Sequence, residues 1–294
     1  MTSIIDALLS QGPVVTDGGW GSQFLQLGLV PGELSDAWNL THPDRVEAVP
    51  RTYVEAGSQV ILTNTFVSNR VTLAGHGLED KLRQINEAGV QISLRAAGGR
   101  ARVFGSIGPT GKMLVTGDIT PEEVAEVYLE QVTILAGAGA EAIVIETMAD
   151  LEEETLAVKA ARETGLPVVA CMAFASGKNK DRTMMGVTPE QAAETLSAAG
   201  ADVIGANCGQ GMTGYIEITR RMRAATDRPL WIKPNAGLPE LIDGRTVYRT
   251  TPEEFAAQVP ALLGAGASFV GGCCGTTPDF IRAVAGKVRT LSAR

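Results

Sequence analysis

Phe269-Val270-Gly271-Gly272-Cys273-Cys274-Gly275-Thr276-Thr277-Pro278 holds the end of one element, a turn and the start of the next. The apolar run up to Val270 reads as a buried strand. Glycines on both sides of the cysteine pair permit a tight turn where that strand ends. Thr277-Pro278-Asp279 then reads as a helix start. Threonine is the N-cap, proline occupies the first helical position, and an acidic residue faces the positive end of the helix dipole. Neighbouring side chains on a strand point to opposite faces. The two sulfurs can therefore meet one ion only if the chain leaves the strand here.

The same pattern recurs along the chain. Thr120-Pro121-Glu122-Glu123, Thr188-Pro189-Glu190 and Thr251-Pro252-Glu253-Glu254 are further helix starts. Gly57, Gly139, Gly165, Gly200 and Gly266 each stand where a helix should end and lead into the next apolar run. Strands are expected at 14–16, 59–65, 101–107, 142–146, 167–174, 202–206, 230–233 and 268–271. Helices are expected between them at 43–56, 78–97, 121–138, 151–164, 189–199, 215–226, 252–263 and 278–291. Eight near-continuous apolar strands, each followed by a helix, specify a parallel sheet covered by helices. Eight units favour closure into a single (β/α)8 TIM barrel in the α/β class over an open doubly wound sheet. Without a linker or composition break, residues 1–294 read as one domain. A short amphipathic helix at 3–10 should cover one end of it. The longest interval between elements, 20–42, reads as a long βα loop, either a cover for a substrate or a solvated connection.

Bulk properties exclude several classes. With 45% hydrophobic and 20% charged residues the chain is globular, and 294 residues suit one α/β barrel. Lys+Arg 25 against Asp+Glu 33 gives a net charge of −8, with no basic run for nucleic acid. No apolar stretch is long enough to span a bilayer, so no membrane association is expected. The N-terminus has neither the basic region nor the apolar core of a signal peptide. Four cysteines in so long a chain are not a disulfide framework, so a cytoplasmic, reducing setting is expected.

Polar residues gather at the expected strand ends. They are Asp17-Gly18-Gly19, Thr63-Asn64-Thr65-Phe66, Gly108-Pro109-Thr110-Gly111, Glu146-Thr147, Asn207-Cys208-Gly209, Lys233-Pro234-Asn235-Ala236-Gly237 and the double cysteine. In a barrel these ends converge on one mouth. Cys208, Cys273 and Cys274 would there form a three-thiolate zinc site with an open fourth position, the catalytic rather than the structural pattern. Cysteine also occurs as a small buried hydrophobe, and adjacent cysteines can form a vicinal disulfide. Cys171 lies inside the fifth strand and reads as core. Asp17 and Glu146 read as general acid–base groups, as anchors for a substrate's cationic group, or as loop carboxylates capping helices or holding backbone amides. The anchor role suits a site whose metal cluster already carries negative charge. His42 and His76 fall in or beside loops, and no Ser/His/Asp order or phosphate loop can be assembled.

Taken together, Asp17-Gly18-Gly19, Thr63-Asn64-Thr65-Phe66, Gly108-Pro109-Thr110-Gly111, Glu146-Thr147, Gly205-Ala206-Asn207-Cys208, Pro234-Asn235-Ala236-Gly237 and Gly271-Gly272-Cys273-Cys274-Gly275-Thr276 resemble the homocysteine S-methyltransferase family. The likeness runs in unbroken order over nearly the whole chain. That family includes betaine-dependent and S-methylmethionine-dependent enzymes and the homocysteine module of cobalamin-dependent methionine synthase. The resemblance implies a catalytic zinc held by Cys208, Cys273 and Cys274, with the homocysteine sulfur as the next ligand and methionine as the product. It implies that Asp17 and Glu146 hold the amino acid's ammonium, that the backbone at Gly18 and Gly19 approaches it closely, and that Asn207 belongs to the substrate site. Asn235 matches an asparagine that can take the zinc position in methionine-synthase-like members when substrate is absent.

The methyl donor is less determined. Mammalian-type betaine enzymes have a tyrosine where this chain has Thr147, and an aromatic pair where it has Phe66-Val67. An aromatic cage for a quaternary ammonium needs such rings, leaving Trp20 and Trp38 as substitutes. The stretch Val60-Ile61-Leu62-Thr63-Asn64-Thr65-Phe66 and Pro234-Asn235-Ala236-Gly237 look closer to the methionine synthase module. The expected donor is a methylcorrinoid, carried on another polypeptide if protein-bound, with betaine or S-methylmethionine as the alternative. A non-catalytic zinc-binding or thiol redox barrel is the reading from another class.

Overall fold

The computed structural model describes residues 3–30, 32–242 and 245–292, so the expected domain limits 1 and 294 lie outside the described residues. Ten strands form among the described residues: β1 (Val14–Val15), β2 (Val60–Leu62), β3 (Arg102–Ile107), β4 (Ile143–Met148), β5 (Val168–Met172), β6 (Val203–Gly211), β7 (Leu230–Asn235), β8 (Glu240–Ile242), β9 (Arg245–Val247) and β10 (Ala267–Val270). Eight of them pair in parallel in the order β1-β10-β7-β6-β5-β4-β3-β2. A parallel bridge between Thr16 and Val60, with the Gln59 amide donating to the Val15 carbonyl at 2.7 Å, closes the ring. The chain is a single (β/α)8 barrel. β8 and β9 are a separate antiparallel hairpin between β7 and the next helix.

The helices are α1 (Ile4–Leu9), α2 (Trp20–Gln26), α3 (Trp38–Thr41), α4 (Pro43–Ala56), α5 (Arg70–Ala74), α6 (Leu82–Ala97), α7 (Pro121–Gly137), α8 (Leu151–Arg162), α9 (Pro189–Ala199), α10 (Met212–Ala225), α11 (Pro252–Ala257), α12 (Val259–Gly264) and α13 (Pro278–Ser292). Thr120, Thr188 and Thr251 each close a reciprocal capping box with the third helical residue, as their Thr-Pro starts predict. None of the helices is long and apolar enough to cross a membrane, among the described residues.

Strand parity builds the interior in layers. Val14, Val60, Leu62, Phe104, Val144, Val169, Cys171, Val203, Trp231 and Phe269 form an inner cluster, while Val15, Ile61, Val103, Ile143, Ile145, Ile204 and Ile232 belong to the shell under the helices. Trp231 packs on Phe269 at 5.2 Å and on Phe104 at 6.1 Å between ring centres, filling the middle. Ile5 of α1, with Ile4, Leu8 and Leu9, closes the N-terminal end of this cluster. Counting on by two from Phe104, Val144 and Trp231 gives Ser106, Glu146 and Lys233, and from Val203 gives Asn207. The polar layer is thus the same inward register carried to the C-terminal mouth.

Three local expectations change. The 20–42 interval is not a plain loop. It contains α2, a short 3-10 turn at 35–37 and α3, because Phe24 and Trp38 bury against each other with ring centres 5.8 Å apart. The expected helix at 252–263 is two helices. Pro260 has no N–H to continue the ladder at the break after Ala257. The β8–β9 hairpin was not anticipated, although the sequence carries its signal: Asp243-Gly244 stands between the two strands, the Asp-Gly pair of a two-residue hairpin.

Candidate active site

The three cysteines meet at the mouth. Cys208 Sγ lies 3.8 Å from Cys274 Sγ, and Cys273 Sγ lies 3.9 Å from Cys274 Sγ. All three sulfurs fall within 4.8 Å of one another, and all are free thiols. A disulfide needs about 2.05 Å, so Cys273 and Cys274 are not joined. Backbone conformation aims the sulfurs. Cys208 has φ +61°, in the left-handed region, and so departs from the direction of β6. The Cys273-Cys274 turn is tied to β7: the Cys273 amide donates to the Pro234 carbonyl at 2.8 Å and the Cys274 amide to Asn235 Oδ1 at 3.1 Å. A Cβ on Gly19 would stand 2.4 Å from the Cys273 carbonyl oxygen, so only glycine fits there.

Charge is shared unequally among the sulfurs. Cys208, hydrogen-bonded by the Cys273 and Cys274 thiols and by Asn235, is held far below the ordinary thiol range, at about 3. Cys273 is pushed well up by those same bonds and by burial, and Cys274 up to about 12, chiefly by its bond to Cys208. The protein alone thus stabilises one thiolate and two thiols. Ionising all three needs a cation among them, and a tetrahedral metal ion with one open position would satisfy the set.

A cavity of ≈ 250 Å³ opens beside the sulfurs. Its wall includes Cys208, Cys273, Cys274, Glu146, Thr147, Lys233, Ser106, Gly18 and Gly19, with Trp20, Phe24, Leu62 and Phe66 as the apolar part. Glu146 Oε1 accepts from Ser106 Oγ at 2.6 Å and Oε2 from Asn207 Nδ2 at 3.3 Å. Burial raises its pKa, against the lowering effect of Lys233 and Ser106. Asn207 also exchanges two 2.7 Å hydrogen bonds with Thr147, whose φ is +64°. It thereby holds the end of β4 against β6.

Asp17 stands behind this wall. It is fully buried. Its Oδ2 accepts from Trp20 Nε1 at 2.7 Å and from the Leu62 amide at 2.8 Å, and its Oδ1 from Lys233 Nζ at 2.5 Å. Burial disfavours the Lys233 ammonium, but the charges of Asp17 and Glu146 outweigh it and raise its pKa. Asn207 and Asn235 brace the site rather than line the cavity. Sequence reasoning missed Lys233 and Ser106; inward parity with Trp231 and Phe104 was the available signal. Trp38 is a correction. It is 2% exposed, donates to Glu33 at 2.7 Å and stacks on His42 at 4.8 Å, so it cannot pair with Trp20 in a cage. Cys171 is fully buried core, as expected.

The α/β barrel thus carries a three-cysteine cluster beside a carboxylate at its C-terminal mouth. The homocysteine S-methyltransferase family model matches residues 14–288, and the chain belongs to that family. It is 31% identical to a methionine synthase of Mycobacterium tuberculosis, over 99% of this chain and 26% of that protein. It is 28% identical to betaine–homocysteine S-methyltransferase 1 of Danio rerio, over 96% of this chain and 74% of that protein. The chain spans about a quarter of the length of the methionine synthases it matches. In fold it is similar to the homocysteine methyltransferase MmuM from Escherichia coli in its metallated form, with TM-score 0.81 and 20% identity over 96% of this chain and 99% of that one.

Proposed function

We propose that this protein transfers a methyl group to the sulfur of homocysteine, forming methionine, with zinc held by Cys208, Cys273 and Cys274. The observation that carries this reading is the sulfur triangle opening into the same cavity as Glu146. A tetrahedral ion with metal–sulfur bonds of about 2.3 Å has edges of about 3.8 Å, which matches two edges of the triangle, 3.8 and 3.9 Å, with the third no longer than 4.8 Å. Zinc there supplies Lewis acidity that lowers a thiol pKa. Glu146, fixed by Ser106 and Asn207, receives the substrate's ammonium. The close backbone at Gly18 and Gly19 shapes the near wall. The homocysteine thiolate then attacks the methyl carbon in line. The new S–CH3 bond forms as the bond to the carrier breaks, and the electron pair leaves with the carrier.

We further propose a methylcorrinoid carried by another polypeptide as the donor. Apart from Leu129, every large apolar side chain with marked exposure among the described residues lies on a segment between a barrel strand and its following helix. Leu25, Val30, Val115, Met184 and Leu241 are the principal ones, and such segments ring the mouth. That distribution supports delivery by a docked protein. Small onium donors are the second reading, favoured by Trp20, Phe24 and Phe66 on the cavity wall. The unpaired thiols support a reducing, cytoplasmic setting. A direct test is proton release when homocysteine is added to the zinc-loaded protein. About one proton per site is expected if a neutral thiol ionises on binding, and none would refute the reading.

A further inference from the structure

The sulfurs of the cluster each meet a donor from the protein. Asn235 and the Gly209 amide donate to Cys208. Asn207 Nδ2 donates to Cys273 Sγ at 3.8 Å. For Cys274 the donor comes from the segment that carries the β8–β9 hairpin. Tyr248 follows β9 directly and is half-buried. Its ring lies against Gly275, the residue after Cys274, where a Cβ would stand 2.4 Å from the ring. Burial, the charges of Cys274, Cys208 and Cys273, and a side-chain hydrogen bond with Cys274 all push its phenol up. The phenol thus keeps its one O–H to donate.

The turn that carries Cys274 is held on several sides. Its amide donates to Asn235 Oδ1 at 3.1 Å, its carbonyl accepts from the Ala236 amide at 2.9 Å, and the Gly275 amide donates to Ser22 Oγ at 2.8 Å. Tyr248 is not among the described residues that line the cavity, so it meets the cluster from the outer side. Its position bears on a choice the site must make. A methyl group brought to the mouth faces the cysteine sulfurs as well as the substrate's own. In the unwanted reaction a Cys274 S–CH3 bond forms, the methyl–carrier bond breaks, and the electron pair leaves with the carrier. The product is a neutral thioether, which is no longer an anionic ligand. A hydrogen bond donated to a thiolate stabilises the lone pair that would attack and weakens as the charge is lost. It therefore favours the ground state over the transition state and slows that sulfur.

We propose that Tyr248 determines which sulfur is methylated: its phenol donates to Cys274 Sγ from the side away from the cavity, quenches that sulfur as a nucleophile, and leaves the methyl group to the substrate. This rests on the cysteines holding zinc and on a thiol being the acceptor. The test treats the zinc-loaded protein with methyl iodide in the absence of homocysteine and follows methylation of each cysteine by peptide mass spectrometry, with fragment spectra separating Cys273 from Cys274. Tyr248→Phe keeps the ring on Gly275 and removes only the O–H. In this variant Cys274 should be methylated faster than in wild type by roughly 3- to 10-fold, the worth of one hydrogen bond. Cys208 and Cys273 should keep their wild-type rates, and the zinc content before treatment should be unchanged. Equal Cys274 rates in wild type and Tyr248→Phe would overturn the proposal. So would an equal rise at all three cysteines, which marks a loosened cluster rather than a lost donor. A wild type that takes up no zinc would refute the metal reading of the cluster, and the proposal with it.

Discussion

Cys208 and Thr147 both hold left-handed backbone conformations that cost non-glycine residues about 1–2 kcal/mol each. Both are gripped by the Asn207 segment, and both sit at the sulfur cluster. Strain kept in place by surrounding hydrogen bonds is typical of functional positions. It serves here to turn a sulfur out of the plane of β6 and toward Cys274. Changing Cys208, Cys273 or Cys274 to Ala should abolish tight zinc binding, measured as metal content after purification, whereas Cys171→Ala should retain zinc. Full zinc in Cys273→Ala would be incompatible with the three-sulfur site. Glu146→Gln should weaken homocysteine binding by about 1.5–3 kcal/mol with metal content unchanged. Unchanged affinity by calorimetry would remove Glu146 from the substrate site. The three clustered cysteines were legible in the sequence because each stands where an apolar run gives way to glycine, and Glu146 because it is the first charge after the apolar run Ile143-Val144-Ile145. Lys233 was not recognised as a site residue. A lysine ending Leu230-Trp231-Ile232-Lys233 reads as the strand's first solvated position, and nothing local reveals that Asp17, far away in sequence, waits for it inside the barrel.

At the level of elements, punctuation was the strongest signal. The capping boxes at Thr120, Thr188 and Thr251 form as their sequences require, and they fix where the helices leave the mouth loops. Thr188→Ala removes the acceptor for the Gln191 amide. It should lower unfolding free energy by about 1 kcal/mol in denaturant titration, with unchanged zinc content; a loss of zinc without destabilisation would contradict a purely capping role. One of the elements that were missed, α2, lacks such a local signal. α2 is held by tertiary burial of Phe24 and caps at Gly19 without a side-chain hydrogen bond. The hairpin is the exception, since Asp243-Gly244 between its strands is a local turn signal that was overlooked, and it also makes close contact at the mouth. In particular, a Cβ on Gly275 would stand 2.4 Å from the Tyr248 ring, which follows β9 directly.

Across the whole molecule, one buried group sets a pH dependence. Glu154 on α8 is fully buried, and neither carboxylate oxygen has a hydrogen-bond partner among the described residues. Burial, reinforced by the charge of Glu153, raises its pKa well above the usual carboxylate range. The folded state therefore keeps a proton that the unfolded state releases. Its stabilising effect is complete below the ordinary glutamate pKa of about 4.3 and is lost as pH rises toward the raised value. Between about pH 6 and about pH 9 the wild-type melting temperature should fall more than that of Glu154→Gln. Parallel melting curves would show that Glu154 is ionised in the folded state.

The same molecule-wide view separates a closed N-terminal end, sealed by α1, from a C-terminal mouth that carries the sulfurs, the cavity and nearly all the exposed apolar side chains. The central claim is that homocysteine is methylated at the three-cysteine site by a methyl group brought to that mouth. The most direct measurement is the rate of methionine formation from homocysteine by the zinc-loaded protein, with methylcobalamin, betaine and S-methylmethionine supplied at equal concentration. Methionine should form with methylcobalamin faster than with either onium donor, and Cys273→Ala should form none. Rapid turnover with betaine or S-methylmethionine and none with methylcobalamin would overturn the donor, and no methionine from any of the three would contradict the account itself.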